Sequence, residues 1–159
     1  MRIWLERAMD TSRGRGPHSA GMRDKIRVVL ADDHVLVRRI LKLELESDGV
    51  VVVGEAADGR EAVELVRSLR PDVVVLDHLM PELDGLEAAR SLLGDRGEVR
   101  IIILTSDDDP SVIVEAARIG VRAHVFKDTT ANHLIRMIHF VAAGGVGPGM
   151  RPALDPSSK

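Results

Sequence analysis

Apolar residues fall along this chain in two rhythms. Short, mostly apolar runs stand at 26–31 (IRVVLA), 50–53 (VVVV), 73–76 (VVVL), 99–104 (VRIIIL) and 122–126 (RAHVF). Between them, apolar residues recur every three or four positions. A short continuous run bounded by turn signals reads as a strand buried on both faces. The three-to-four spacing reads as an amphipathic helix. The helical stretches are 34–47, 59–69, 86–93, 110–119 and 131–142. Their stops are Gly49, Pro71, Gly120 and Gly144-Gly145, and Asp109-Pro110 is a helix start with Asp as N-cap. The first helix carries a wide stripe, at 36, 40 and 43 and again at 37, 41 and 45.

Five strand–helix pairs in strict alternation predict an α/β domain, a doubly wound parallel sheet with helices on both faces. The flavodoxin-like order 2-1-3-4-5 places strands 1 and 3 side by side at the switch point, where open sheets bind ligands. Folded pattern fills residues 24–143. Residues 1–23 lack a period and read as a disordered tail. Residues 144–159, rich in Gly and Pro, read as a flexible tail too short for an output domain.

The polar residues that end the strands then become informative. Strand 1 ends in Asp32-Asp33, strand 3 in Asp77, strand 4 in Thr105, and strand 5 leads into Lys127. Each has a plain structural reading alone: an N-cap, a turn acid, a β-branched strand residue, a surface lysine. Their joint placement at one sheet edge is the signal. Two carboxylates about 4 Å apart repel by roughly 4 kcal/mol at an effective dielectric near 20. Such a cluster calls for a cation or a protonated acid. Oxygen donors select a hard ion, and Mg²⁺ suits a few carboxylates with retained water. A carboxylate flanked by a hydroxyl, an ammonium and a divalent ion suits phosphoryl transfer, with Asp77 attacking in line.

Composition narrows the choice. The 159 residues carry a net charge of −3, which gives no basic field for nucleic acid. Cysteine and tyrosine are absent, so disulfides, thiolate chemistry and aromatic stacking platforms are not expected. No 18-residue apolar run predicts a membrane span, and no secretory signal is visible, so a cytoplasmic location is expected. No phosphate-binding glycine loop follows the first strand, which argues against a nucleotide site.

The segments ADDH (31–34), LDHLMPELDG (76–85), LTS (104–106) and FKD (126–128) together resemble the receiver domain of two-component response regulators. ANHLIRMIHFVAAGG (131–145) is most similar to receivers that precede a LuxR/NarL-type helix-turn-helix output. The resemblance covers about residues 25–143. It implies phosphorylation of Asp77 by a sensor histidine kinase. It implies Mg²⁺ held by Asp33, Asp77 and the backbone carbonyl of Leu79, with Asp32 reaching it through water. It gives Thr105 and Lys127 the roles argued above. It also implies a signalling face on the fourth helix, fifth strand and fifth helix, an unidentified downstream protein, and helical faces through which relatives pair as homodimers.

This chain departs from the pattern at the switch position, where the family usually has Tyr or Phe and His124 stands here. A histidine there predicts pH-dependent coupling. Leu79 and Asp107 flank the path of attacking water. Two other functions stay open on the residues: a phosphate-independent binding module of this fold, and a metal-dependent aspartyl phosphatase. The phosphatase reading expects a second acid two residues after the nucleophile, where Leu79 stands.

Overall fold

The strands alternate their side chains between two cores, and this alternation fixes every layer. In the computed structural model, residues 25–95, 98–106 and 109–150 are described. The order is β1 (Arg27–Ala31), α1 (Val35–Ser47), β2 (Val51–Ala56), α2 (Gly59–Leu69), β3 (Val73–Asp77), α3 (Gly85–Gly94), β4 (Arg100–Thr105), α4 (Pro110–Ile119), β5 (Ala123–Phe126) and α5 (Ala131–Ala142). All neighbouring strands are parallel, in the order β2-β1-β3-β4-β5. The expected topology is the observed one. The N-terminal stretch 1–23 and Asp107 lie outside the described residues.

Val29, Ala31, Val74, Leu76, Ile101 and Ile103 point to one face and pack beneath α2, α3 and α4. Val28, Leu30, Val73, Val75, Ile102 and Leu104 point to the other, beneath α1 and α5. Every side chain of β3 is buried, as a central strand requires.

Three details differ from the sequence pattern. First, the α1 stripe is half solvent-facing: Leu45 is buried and Leu41 packs on the core, whereas Leu36, Ile40 and Leu43 are exposed. Arg38 and Lys42 share α1 with them and clasp Glu55 of β2, with Lys42 Nζ 2.9 Å from its carboxylate. Second, β2 extends through Gly54 to Ala56. Gly54 fits because Leu69 and Leu65 close over it; a Cβ there would lie 2.9 Å from Leu69 Cδ1.

Third, the patternless segment after α5 is packed as far as residue 150. It rounds the edge of β5, where the Gly147 N–H donates to the Arg122 carbonyl at 2.7 Å. Met150 then enters the α4-side core with Val112, Ala116 and Val121 and is buried. One methionine among glycines and prolines makes no periodicity, so this anchor left no sequence signal.

Candidate functional site at the carboxyl edge of the sheet

The register brings the strand ends together. Ala31 pairs with Leu76, Asp77 with Leu104, and Thr105 with Phe126. Asp32, Asp77, Thr105 and Lys127 therefore leave four adjacent strands at one level. The loop after Asp77 is short and tied down: the His78 N–H donates to the Leu104 carbonyl at 2.7 Å, and the Gly85 N–H to the His78 carbonyl at 2.9 Å. Gly85 begins α3 directly against the reactive strand end. A Cβ there would lie 2.3 Å from the Asp77 carbonyl oxygen, so only glycine permits this approach. Asp84 and Glu87 form a capping box that fixes where α3 begins.

The expected acidic cluster is assembled. Asp32, Asp33 and Asp77, joined by His34, offer ligand atoms that all lie within 4.8 Å of one another. Asp32 and Asp77 are buried, whereas the Asp33 side chain remains about one-third exposed. The Lys127 Nζ reaches both buried acids, 2.8 Å from Asp32 Oδ2 and 2.8 Å from Asp77 Oδ2. Its backbone N–H donates to the Thr105 carbonyl at 2.9 Å, which sets lysine and threonine side by side. Thr105 is fully buried. Leu79 is largely exposed at the mouth, and its backbone N–H donates to the Asp77 carboxylate.

The electrostatics separate the two buried acids. Burial pushes the Asp77 carboxyl up, and the Asp32 charge acts in the same direction; Lys127 and the Leu79 N–H oppose them without prevailing. Burial also acts to raise Asp32, but its bonds to Lys127 and His34 outweigh that and hold it below the ordinary carboxylate value. Burial would lower Lys127, yet bonding to both acids keeps it above the usual amine value. One ammonium thus serves two buried carboxylates, with Asp33 beside them. Three carboxylates with this excess of negative charge fit a hard divalent cation.

His124 lies on β5 with its ring edge-on to Phe126 at 5.5 Å between centroids. Its Nδ1 is buried, and burial pulls the imidazole below its ordinary value. His34 is the site residue that the strand-end argument passed over. Its adjacency in ADDH was the available signal, but it follows the strand end and precedes a helix, where a histidine ordinarily reads as solvent-facing.

Comparison with known proteins agrees with this geometry. The profile of the response regulator receiver domain matches residues 28–139. The chain is 37% identical over 126 residues to the transcriptional regulatory protein DegU of Brevibacillus brevis, covering 77% of this chain and 52% of that one. It is 34% identical over 122 residues to the probable transcriptional regulatory protein NarL of Mycobacterium tuberculosis, covering 76% and 56%. The chain thus spans about half the length of these relatives. The solved signal receiver domain of the M. tuberculosis protein superposes with a TM-score of 0.73 at 35% identity, over 76% of this chain and 98% of that one. A LuxR-family two-component response regulator from Aurantimonas sp. SI85-9A1 gives 0.74 at 34% identity, over 77% and 89%. A fold of five parallel strands in this order, an acid cluster facing a lysine at its carboxyl edge, and relatives of the LuxR/NarL type lead to one conclusion: the chain belongs to the response regulator receiver domain family.

Proposed function

We propose that this chain is a phosphoryl-accepting switch, with Asp77 the acceptor and a sensor histidine kinase the donor. The observation that carries the reading is the bridge of Lys127 to Asp32 and Asp77 at 2.8 Å each, beside Asp33. An Asp77 oxygen attacks the phosphorus of a phosphohistidine; the P–O bond forms, the P–N bond breaks, and the electron pair leaves with the imidazole. Lys127 then turns from the carboxylates to a phosphoryl oxygen, and the Thr105 hydroxyl donates to another. Asp33, Asp77 and the Leu79 carbonyl would hold Mg²⁺, with Asp32 reaching it through water. When bound, the ion neutralises charge on the transferring group.

His124, Thr105 and the α4–β5–α5 face relay the change to an unidentified downstream protein. The chain turns over only its own phosphoryl group, without nucleic acid or a membrane surface as a partner, and works in the cytoplasm. Among the described residues no helix is long and apolar enough to cross a membrane.

Incubation of the full chain with acetyl phosphate tests this. A gain of one phosphoryl group mapped to Asp77, abolished by EDTA and by Asp77→Asn, is expected. No gain with Mg²⁺ present would leave a phosphate-independent binding module. Multiple turnovers on a generic phosphoester would instead indicate a phosphatase.

A further inference from the structure

The acid cluster contains a donor that the phosphoryl-transfer reading leaves idle. The His34 Nδ1 lies 3.2 Å from Asp32 Oδ1 and 3.1 Å from Asp33 Oδ1, and a ring nitrogen of His34 lies within 4.8 Å of an Asp77 oxygen. Adjacent ligands of an octahedral ion at about 2.1 Å stand about 3.0 Å apart. His34 Nδ1 and Asp33 Oδ1 thus have the spacing of neighbouring positions around one cation.

The backbone holds the ring there. His34 is the N-cap residue of α1 in an extended conformation (φ −83°, ψ 103°), and its side chain makes no cap bond to the helix. Its N–H donates instead to Asp32 Oδ1 at 2.9 Å, which folds the residue back over the acids. The side chain is 67% exposed. Water can therefore serve Nε2–H once a cation takes the place of the hydrogen bond from Nδ1 to Asp32, and in that tautomer the Nδ1 lone pair faces the cluster. A solvated side also leaves room for the water and phosphoryl positions that an open cation site needs.

We propose that His34 Nδ1 is a further protein ligand of the divalent-cation site, and that the site binds borderline cations such as Zn²⁺ and Ni²⁺ more tightly than Mg²⁺. The inference rests on the Asp32, Asp33 and Asp77 cluster being a cation site. Imidazole favours the zinc and nickel class, whereas carboxylate, carbonyl and water favour magnesium. Two acids, a backbone carbonyl and an imidazole form a mixed oxygen–nitrogen set. The alternative role for the ring is a hydrogen-bond donor to Asp32 and Asp33, with no bond to metal.

Calorimetric titration of the metal-free full chain with MgCl₂, ZnCl₂ and NiCl₂ separates the two roles. The proteins compared are the wild type, His34→Ala, His34→Gln and Asp33→Asn. Losing an outer partner of a metal ligand costs 10- to 100-fold in affinity, so loss of the ligand itself weakens Zn²⁺ and Ni²⁺ binding by about tenfold or more. Mg²⁺ affinity should change little in both His34 variants, and Asp33→Asn should weaken all three ions. The His34 imidazole nitrogens should also shift on Zn²⁺ addition in ¹⁵N-resolved spectra. The chain has 6 histidines, so the difference between wild type and the His34 variants is the readout, which cancels binding elsewhere. Unchanged Zn²⁺ and Ni²⁺ affinity in His34→Ala, with Mg²⁺ binding intact, would overturn the role of His34 and leave the cation site standing. Full affinity for all ions in Asp33→Asn would overturn the cation site itself.

Discussion

The ammonium of Lys127 stands 2.8 Å from Oδ2 of Asp77, although 50 positions separate the two in sequence. It stands equally close to Asp32. Removing this cation leaves two buried carboxylates facing each other. Breaking a buried ion pair from one side costs about 3–5 kcal/mol. Lys127→Met should lose about 3 kcal/mol of unfolding free energy at neutral pH by urea titration, and millimolar Mg²⁺ should restore part of it. The folded amine is raised above its ordinary value of 10.5. With the carboxylates ionised, the lysine's contribution is therefore complete below that pH and disappears as pH rises through the folded value.

Gly85 sets the position of Asp77 from behind. Its Cα packs on the Asp77 carbonyl so closely that a methyl group would sit 2.3 Å from the oxygen. Forcing extra volume into packed structure costs about 1–3 kcal/mol. Gly85→Ala should destabilise by about that amount and slow acetyl phosphate uptake, measured together by denaturation and intact mass. Unchanged uptake in a destabilised variant would show that α3 does not position the acid.

Met150 ties the end of the described chain to the core beneath α4. Truncating a buried Met to Ala costs about 2–5 kcal/mol. Met150→Ala should fall at the low end, near about 2 kcal/mol, because one side of this contact is a single turn of chain rather than a full layer. Cleavage after residue 145 should cost at least as much.

His124 gives the fold a pH dependence with a definite sign. Burial holds its folded imidazole below 6.5, so the unfolded chain takes up the proton first. Its contribution is complete above about pH 6.5 and is lost as pH falls through the folded value. Wild type should lose more stability between pH 7.5 and pH 5.5 than His124→Phe does. The other histidines are common to both proteins, and the difference isolates this one. Equal losses would place His124 outside the titrating set.

The sheet was legible because each strand is built on a short, mostly aliphatic run, which few arrangements other than a covered parallel sheet accommodate. Asp32, Asp77, Thr105 and Lys127 were legible for a related reason: each follows such a run directly, so topology carries it to the shared edge. Residues placed by tertiary contact alone were not. The exposed half of the α1 stripe (Leu36, Ile40 and Leu43) carries the same residue types as the half that packs on the sheet (Leu41 and Leu45), and which of the two faces inward is decided by how α1 docks. Met150 has no periodic neighbours to announce it. His34 belongs to the cluster through one backbone hydrogen bond to Asp32, which no spacing rule encodes.

The central claim is that Asp77, its two neighbouring acids, Thr105 and Lys127 act as one phosphoryl-binding pocket. Fluorine NMR of the full chain with beryllofluoride and Mg²⁺ tests it most directly. The account predicts bound-fluoride resonances in the wild type that vanish with EDTA or Asp77→Asn and weaken in Asp33→Asn, Thr105→Ala and Lys127→Ala. No bound resonance in the wild type, or one that persists in Asp77→Asn, would contradict it.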